Sequence, residues 1–257
     1  HHAEKGQIKV GVDGQAGHGR PVEGSGPSVK RARRAGDAGG AVSTWLSAAG
    51  LSSRHRATAG QDGVMSNTAL KIERRGRVVI LENQHPPHNR MTLEYMDELE
   101  RAVMSLQDDR EVRAVVITAA GTEHFSVGMD LKQLRANADD RGGFEAVLDQ
   151  RLRVLAAIEQ LDKPVIATMF GYCLGGGLEL PLACHFRFAA SEGAQIGLPE
   201  LDLGTVPAWG GTARLTRTVG RAHALDLILR AKKLDGPTAL AIGLVHEVHP
   251  IDELKAR

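Results

Sequence analysis

Cysteine is nearly absent from this 257-residue chain, occurring only as Cys173 and Cys184. That scarcity excludes a disulfide framework and any cysteine-rich metal site. Both thiols stand in apolar surroundings and are expected to be inert core groups. They fit a reducing compartment, and the expected location is cytoplasmic. No run of about eighteen apolar residues occurs, so no transmembrane helix is expected. The opening residues also lack the apolar core of a secretory signal. Neither sign of charge is in excess. The formal net charge of +1 leaves no overall footprint for nucleic acid or an anionic membrane. Nucleotide signatures are missing as well. Gly24-Ser25-Gly26 lacks the third glycine and the flanking strand of a dinucleotide fingerprint, and Gly175 to Gly177 is not followed by Gly-Lys-Ser/Thr. No Gly-x-Ser-x-Gly nucleophile elbow is present.

A hydrophobic content of 42% is enough for a sizeable core, but it is unevenly spread. Residues 1–64 hold 13 of the 30 glycines, a single aromatic (Trp45) and no methionine. They carry nine Lys/Arg against five Asp/Glu. Such a segment cannot bury enough apolar surface to offset the entropy of ordering it. We expect residues 1–64 to be a disordered or non-native extension, with a short helical possibility around Val42 to Leu51. Met65 is the first methionine and the expected natural start of a domain spanning 65–257. The basic run Lys30-Arg31-Ala32-Arg33-Arg34 lacks the interleaved aromatics that would stack nucleic-acid bases.

From Ala69 onward the pattern is regular. Leu70 to Arg74 alternates, Gly76 supplies a turn, and Val78 to Leu81 forms the second arm of a hairpin. After Pro86-Pro87, Thr92 is the expected N-cap of a helix to about Gln107, with Met96, Leu99, Val103 and Leu106 on its apolar face. Val112 to Thr118 has the β-branched character of a buried parallel strand. Phe144 to Leu161 reads as a helix with Val147, Leu152, Leu155 and Ile158 inside. Strands are expected at Pro164 to Met169 and Phe186 to Ala189, and two or three short helices between Thr212 and Leu244. Alternating strands and helices indicate an α/β domain.

The chemistry concentrates in Gly175-Gly176-Gly177-Leu178-Glu179 and Leu198-Pro199-Glu200. Three glycines before an apolar helix let the backbone turn sharply and approach a ligand. Their N–H groups would also stand at the positive end of the helix dipole. Pro181 supports a helix starting near Gly176. Glu179 and Glu200 each have apolar neighbours in sequence, and such neighbours raise a carboxyl pKa toward the range useful for acid–base work. Phe125 to Asp130 places Gly128 at a strand-to-helix junction, where the Met129 N–H could face a ligand. Together these groups suggest an oxyanion site flanked by two carboxylates.

These stretches, with Ile196 to Gly204 and Pro207-Ala208-Trp209-Gly210-Gly211-Thr212, resemble the crotonase (enoyl-CoA hydratase/isomerase) superfamily from about Leu70 to Pro250. The resemblance implies a spiral of ββα units with flanking helices and an acyl-CoA thioester as substrate. It also implies an oxyanion hole formed by the backbone N–H groups of Met129 and Gly176. One such donor is worth about 2.7–4 kcal/mol in comparable sites. Hydratases of the family carry both glutamates, so Glu179 and Glu200 imply addition of water to an enoyl-CoA, as in fatty acid metabolism. Coenzyme A contacts are implied for Arg90, Met91, Asp130, Lys132 and Gly175, with no metal or redox cofactor.

The resemblance further implies a homotrimer or a hexamer built as a dimer of trimers. Three departures stand out: Met129 replaces a frequent alanine, His185 a frequent aspartate, and the chain ends at Arg257 before the expected C-terminal helices. His185 is expected to be structural. Alternative readings are isomerisation, thioester hydrolysis or a retro-aldol step on the same scaffold, or a non-catalytic crotonase-like protein.

Overall fold

A computed structural model describes residues 68–256; the expected extension at 1–64 lies outside the described residues. The first hairpin pairs β1 (Leu70–Arg75) with β2 (Val78–Asn83) in antiparallel register, from Leu70 opposite Asn83 to Arg75 opposite Val78. Gly76 turns the chain with a φ of 59°. Helix α1 (Leu93–Asp108) begins where Thr92 Oγ1 accepts the Tyr95 N–H at 3.1 Å. Its apolar face buries Met96, Leu99, Val103 and Leu106. At the other end, Lys163 Nζ donates to the carbonyls of Leu106 (2.6 Å) and Asp109 (3.2 Å). A buried ammonium thus satisfies the negative end of the helix.

Strand β3 (Ala114–Ala119) leads to α2 (Leu131–Asn137) and α3 (Gly143–Glu159). Strand β4 (Val165–Met169) is buried at every residue, as a strand covered on both faces must be. Next come β5 (Tyr172–Leu174), α4 (Gly176–Ala183), β6 (Phe186–Ala190) and β7 (Gln195–Gly197). After a single turn of 3₁₀-helix at Glu200–Leu203, the chain forms α5 (Gly211–Leu229), β8 (Lys233–Leu234), α6 (Gly236–Ala241), β9 (Glu247–His249) and α7 (Ile251–Ala256). The main sheet runs β1-β2-β3-β4-β6-β9, parallel after the hairpin. A smaller sheet runs β5-β7-β8. This is the expected mixed α/β architecture.

The two or three short helices expected between Thr212 and Leu244 are the two halves of α5, which breaks at Gly220 where φ is 77° and ψ 164°, and α6. One expectation needs adjusting. On α3, Leu152 is not inside: it is 39% exposed, whereas Arg151 is fully buried. The buried stripe runs through Val147, Arg151, Val154, Leu155 and Ile158. These positions follow the helical period and leave Leu152 off the stripe.

Helix α4 is buried at all eight residues, so it cannot rely on solvent for its end groups. Arg187 on β6 supplies one solution, donating through Nη1 to the carbonyls of Cys184 (2.8 Å) and Pro181 (3.3 Å) and through Nε to Leu244 (2.8 Å). His185 is structural, as expected: its Nδ1 accepts the Val165 N–H at 3.0 Å. No helix among the described residues is long and apolar enough to cross a membrane.

Candidate active site

The segment from Phe125 to Asp130 lies between two others. On one side Ser126 bridges Cys173 in parallel, with Ser126 N–H donating to Tyr172 (2.9 Å) and Leu174 N–H to Ser126 (3.0 Å). On the other side Met129 bridges Met91, with Met91 N–H donating to Gly128 (2.9 Å) and Asp130 N–H to Met91 (3.3 Å). Consecutive amides of an extended chain alternate in direction. The Met129 N–H therefore points away from Met91, and among the described residues it has no acceptor.

The glycine triplet meets this segment directly. A Cβ placed on Gly128 would stand 2.9 Å from the Leu174 carbonyl oxygen and 3.4 Å from Gly176 N. Gly175 precedes α4 with φ 57° and ψ −125°, a conformation that side chains other than hydrogen rarely adopt. The turn leaves the first amide of α4, Gly176 N–H, without an acceptor among the described residues. Gly175 also makes room for Glu200, since a Cβ there would meet Glu200 Oε1 at 2.9 Å. Gly128, the residue before the Met129 amide, thus lies against Gly176 N, and Gly175 lies against the Glu200 carboxylate.

Glu179, on the first turn of α4, is 2% exposed. Its Oε1 accepts two backbone N–H groups, from Trp209 and Gly211, each at 2.8 Å. Burial pushes its pKa up from 4.5 to about 7, the Glu200 charge adds to the rise, and the two amides oppose it. Burial raises the Glu200 carboxyl too, and Glu200 Oε2 is enclosed with no hydrogen-bond partner. The two acids are therefore held toward neutrality, where a proton can be given or taken.

The Trp209 loop is secured by Arg214, which donates through Nη1 to the Trp209 carbonyl (2.8 Å) and through Nε to Glu159 on α3 (3.0 Å). The Trp209 indole covers Gly176, whose added Cβ would come within 2.6 Å of the ring. Sequence reasoning noted this loop as a motif without assigning it work. Gly211, two residues after the tryptophan, was the available signal, because its amide needs a close approach to a carboxylate.

The other expected binding residues are less convergent. Arg90 and Lys132 are exposed. Met91 is buried to 1% and its backbone groups are used in the bridge to Met129. Asp130 Oδ1 caps α2, accepting the N–H groups of Lys132 and Gln133 at 3.0 Å each. No group of three or more His, Cys, Asp or Glu among the described residues could hold a metal ion.

A profile of the enoyl-CoA hydratase/isomerase family matches residues 73–257. The chain belongs to that family. It is 38% identical over 187 residues to a "Probable enoyl-CoA hydratase" of Bacillus subtilis (strain 168), covering 70% of each chain. It is 35% identical over 184 residues to a "Short-chain-enoyl-CoA hydratase" of Clostridium acetobutylicum, covering 71% of this chain and 69% of the relative. Among solved structures, an enoyl-CoA hydratase from Geobacillus kaustophilus superposes with a TM-score of 0.70 at 31% identity, covering 75% of this chain and 72% of that one. One from Bacillus anthracis gives 0.68 at 32% identity, covering 73% and 72%. This member of the enoyl-CoA hydratase/isomerase family therefore shares the crotonase fold of those structures.

Proposed function

We propose that this family member adds water across the 2,3-double bond of an enoyl-CoA thioester. The observation that carries the reading is the buried carboxyl of Glu179 and the partly buried one of Glu200, near the unpartnered amides of Met129 and Gly176. The names of the bacterial relatives point to the same reaction. In this reading the thioester oxygen lies between the two amides. Glu179, fixed by Trp209 and Gly211, takes a proton from water as its oxygen bonds to Cβ. The π electrons move onto the thioester as an enolate, whose growing charge the amides stabilise. Glu200 then delivers a proton to Cα, leaving a 3-hydroxyacyl thioester. Hydration is redox-neutral, so the proposed step calls for no electron carrier.

Arg90 and Lys132 are assigned to the phosphates of coenzyme A, and the cap from Asp130 sets the direction of the Lys132 segment. The same reading carries a trimeric or hexameric assembly, to be checked by analytical ultracentrifugation. The function itself is tested with crotonyl-CoA, whose enoyl-thioester absorbance disappears on hydration. Formation of 3-hydroxybutyryl-CoA would support the proposal. Conversion to an isomer or to free coenzyme A, without the hydroxyacyl product, would replace it.

A further inference from the structure

Three arginines among the described residues are buried, and one differs from the other two. Arg187 donates to three carbonyls and Arg214 to Glu159 and the Trp209 carbonyl. Arg151 is fully covered, yet only its Nη1 is engaged, with the Gln150 side-chain oxygen and, at 3.5 Å, the Val147 carbonyl. Nε and Nη2 have no partner. Those two nitrogens form the edge of a guanidinium whose N–H bonds run parallel and match both oxygens of a carboxylate. Asp97 and Glu100 act on this charge through space, but no carboxylate is bonded to that edge of the buried guanidinium.

The surroundings supply space and a connection to the site. Arg151 forms part of the wall of a cavity of about 370 Å³ between α1 and α3, with Leu93, Val147, Gln150, Arg141, Arg153 and one carboxylate, Asp149. The other two arginines are already paired, Arg141 with Asp97 (2.5 Å) and Arg153 with Glu100 (2.8 Å). Met129, whose amide borders the candidate site, packs against Leu93 and Val147. Arg151 itself lies over the Trp209 ring, 5.9 Å from its centroid, and that ring covers Gly176. Met129 and Trp209 thus lie between residues of the cavity wall and the candidate oxyanion amides.

We propose that Arg151 is a specificity residue that binds, through Nε and Nη2, a second carboxylate at the far end of the acyl group. The preferred substrate class is then the coenzyme A thioester of a 2-enedioic acid. This rests on the hydratase reading above and narrows it. Gln150 now supplies a neutral oxygen to the guanidinium, and the arriving carboxylate occupies the edge that Gln150 leaves empty. Burial lowers the Arg151 pKa to about 10, so the side chain keeps its charge at neutral pH.

The test compares 2-hexenedioyl-CoA with 2-hexenoyl-CoA, which differ in the terminal carboxylate. We expect kcat/KM to favour the dioic substrate by about tenfold to a hundredfold, the range of a hydrogen-bonded charge pair. Arg151→Met is expected to abolish the preference, and Arg151→Lys to restore part of it. Binding of the unreactive analogues adipoyl-CoA and hexanoyl-CoA to the wild-type protein provides a readout independent of any variant. Tighter binding of adipoyl-CoA supports the proposal, and it does so even if neither enoyl substrate is hydrated, in which case only the hydratase reading fails. Equal binding of the two analogues overturns it, as does equal hydration of the two substrates. Loss of the wild-type preference in excess free acetate, which competes for the same guanidinium edge, supports the anion site. A preference that survives unchanged in Arg151→Met overturns it.

Discussion

Gly211 and Glu179 touch: a Cβ on residue 211 would stand 2.7 Å from Glu179 Oε1, the oxygen that accepts the Gly211 N–H at 2.8 Å. The amide can serve the carboxylate only because the residue carrying it has no side chain. Gly211→Ala should push Glu179 off its two amide donors. We expect kcat for hydration to fall on the order of 10²-fold, as for an ångström-scale misplacement of a reacting group. Stability should drop by about 1–3 kcal/mol from overpacking. Steady-state kinetics beside a urea titration separates the two effects, and unaltered kcat would show that Glu179 tolerates the shift.

Glu200 is one of the causes that hold the Glu179 pKa up. Replacing it with glutamine removes a negative charge and leaves the shape nearly unchanged. In Glu200→Gln the Glu179 carboxyl should titrate at lower pH than in the wild type, visible by NMR of the labelled side chain. Turnover in the same variant should fall by about 10²–10⁴-fold if Glu200 supplies the Cα proton. An unmoved Glu179 titration would mean that the Glu200 charge plays no part in the rise.

The raised Glu179 pKa also makes stability depend on pH. The folded protein holds this proton to about pH 7, whereas an ordinary glutamate releases it near 4.5. Folding stability from this group is therefore complete below the lower value and declines as pH rises through the upper one. The change is on the order of 3 kcal/mol. Glu179→Gln, which cannot ionise, should remove much of the decline between about pH 5 and about pH 8. Urea midpoints at the two pH values measure this. Parallel declines in wild type and variant would assign the effect elsewhere.

Both cysteines are enclosed, Cys173 at 0% exposure and Cys184 at 4%. Burial raises both thiols, Cys184 to about 12. The thiolate is the reactive form, so neither should react with a disulfide reagent in the native protein. Both should react once urea unfolds the chain. Rapid labelling of the native protein would reveal local opening around β5 or the end of α4.

Much of this architecture was visible in the residue pattern. The hairpin from Leu70, the Thr92 cap and the apolar runs of β3, β4 and β6 each follow from a period or a cap that fits within one element. Strands β5, β7, β8 and β9 did not declare themselves, because two or three residues are too few to establish alternation. Their existence depends on partners distant in sequence, as Ile196 does on Cys173 and Leu234. Leu152 was misplaced because hydrophobicity was trusted over spacing. Arg151 is four residues after Val147 and four before Leu155, so its place on the buried stripe was already readable. In the site, the glycine triplet and both glutamates were legible. The amides that fix Glu179 were not, since a backbone donor leaves no side-chain signature. Only the need for glycine at 211 hints at one.

The contact between Gly176 and the Trp209 indole ties two positions of the chain into one hereditary unit. A methyl group at 176 has no room while the six-membered ring of the indole lies 2.6–3.1 Å from where its carbon would be. A lineage could enlarge residue 176 only after exchanging Trp209 for something smaller, and that first exchange would uncover Arg151. Descendants of this sequence should therefore alter the two positions in a fixed order, with the tryptophan changing first.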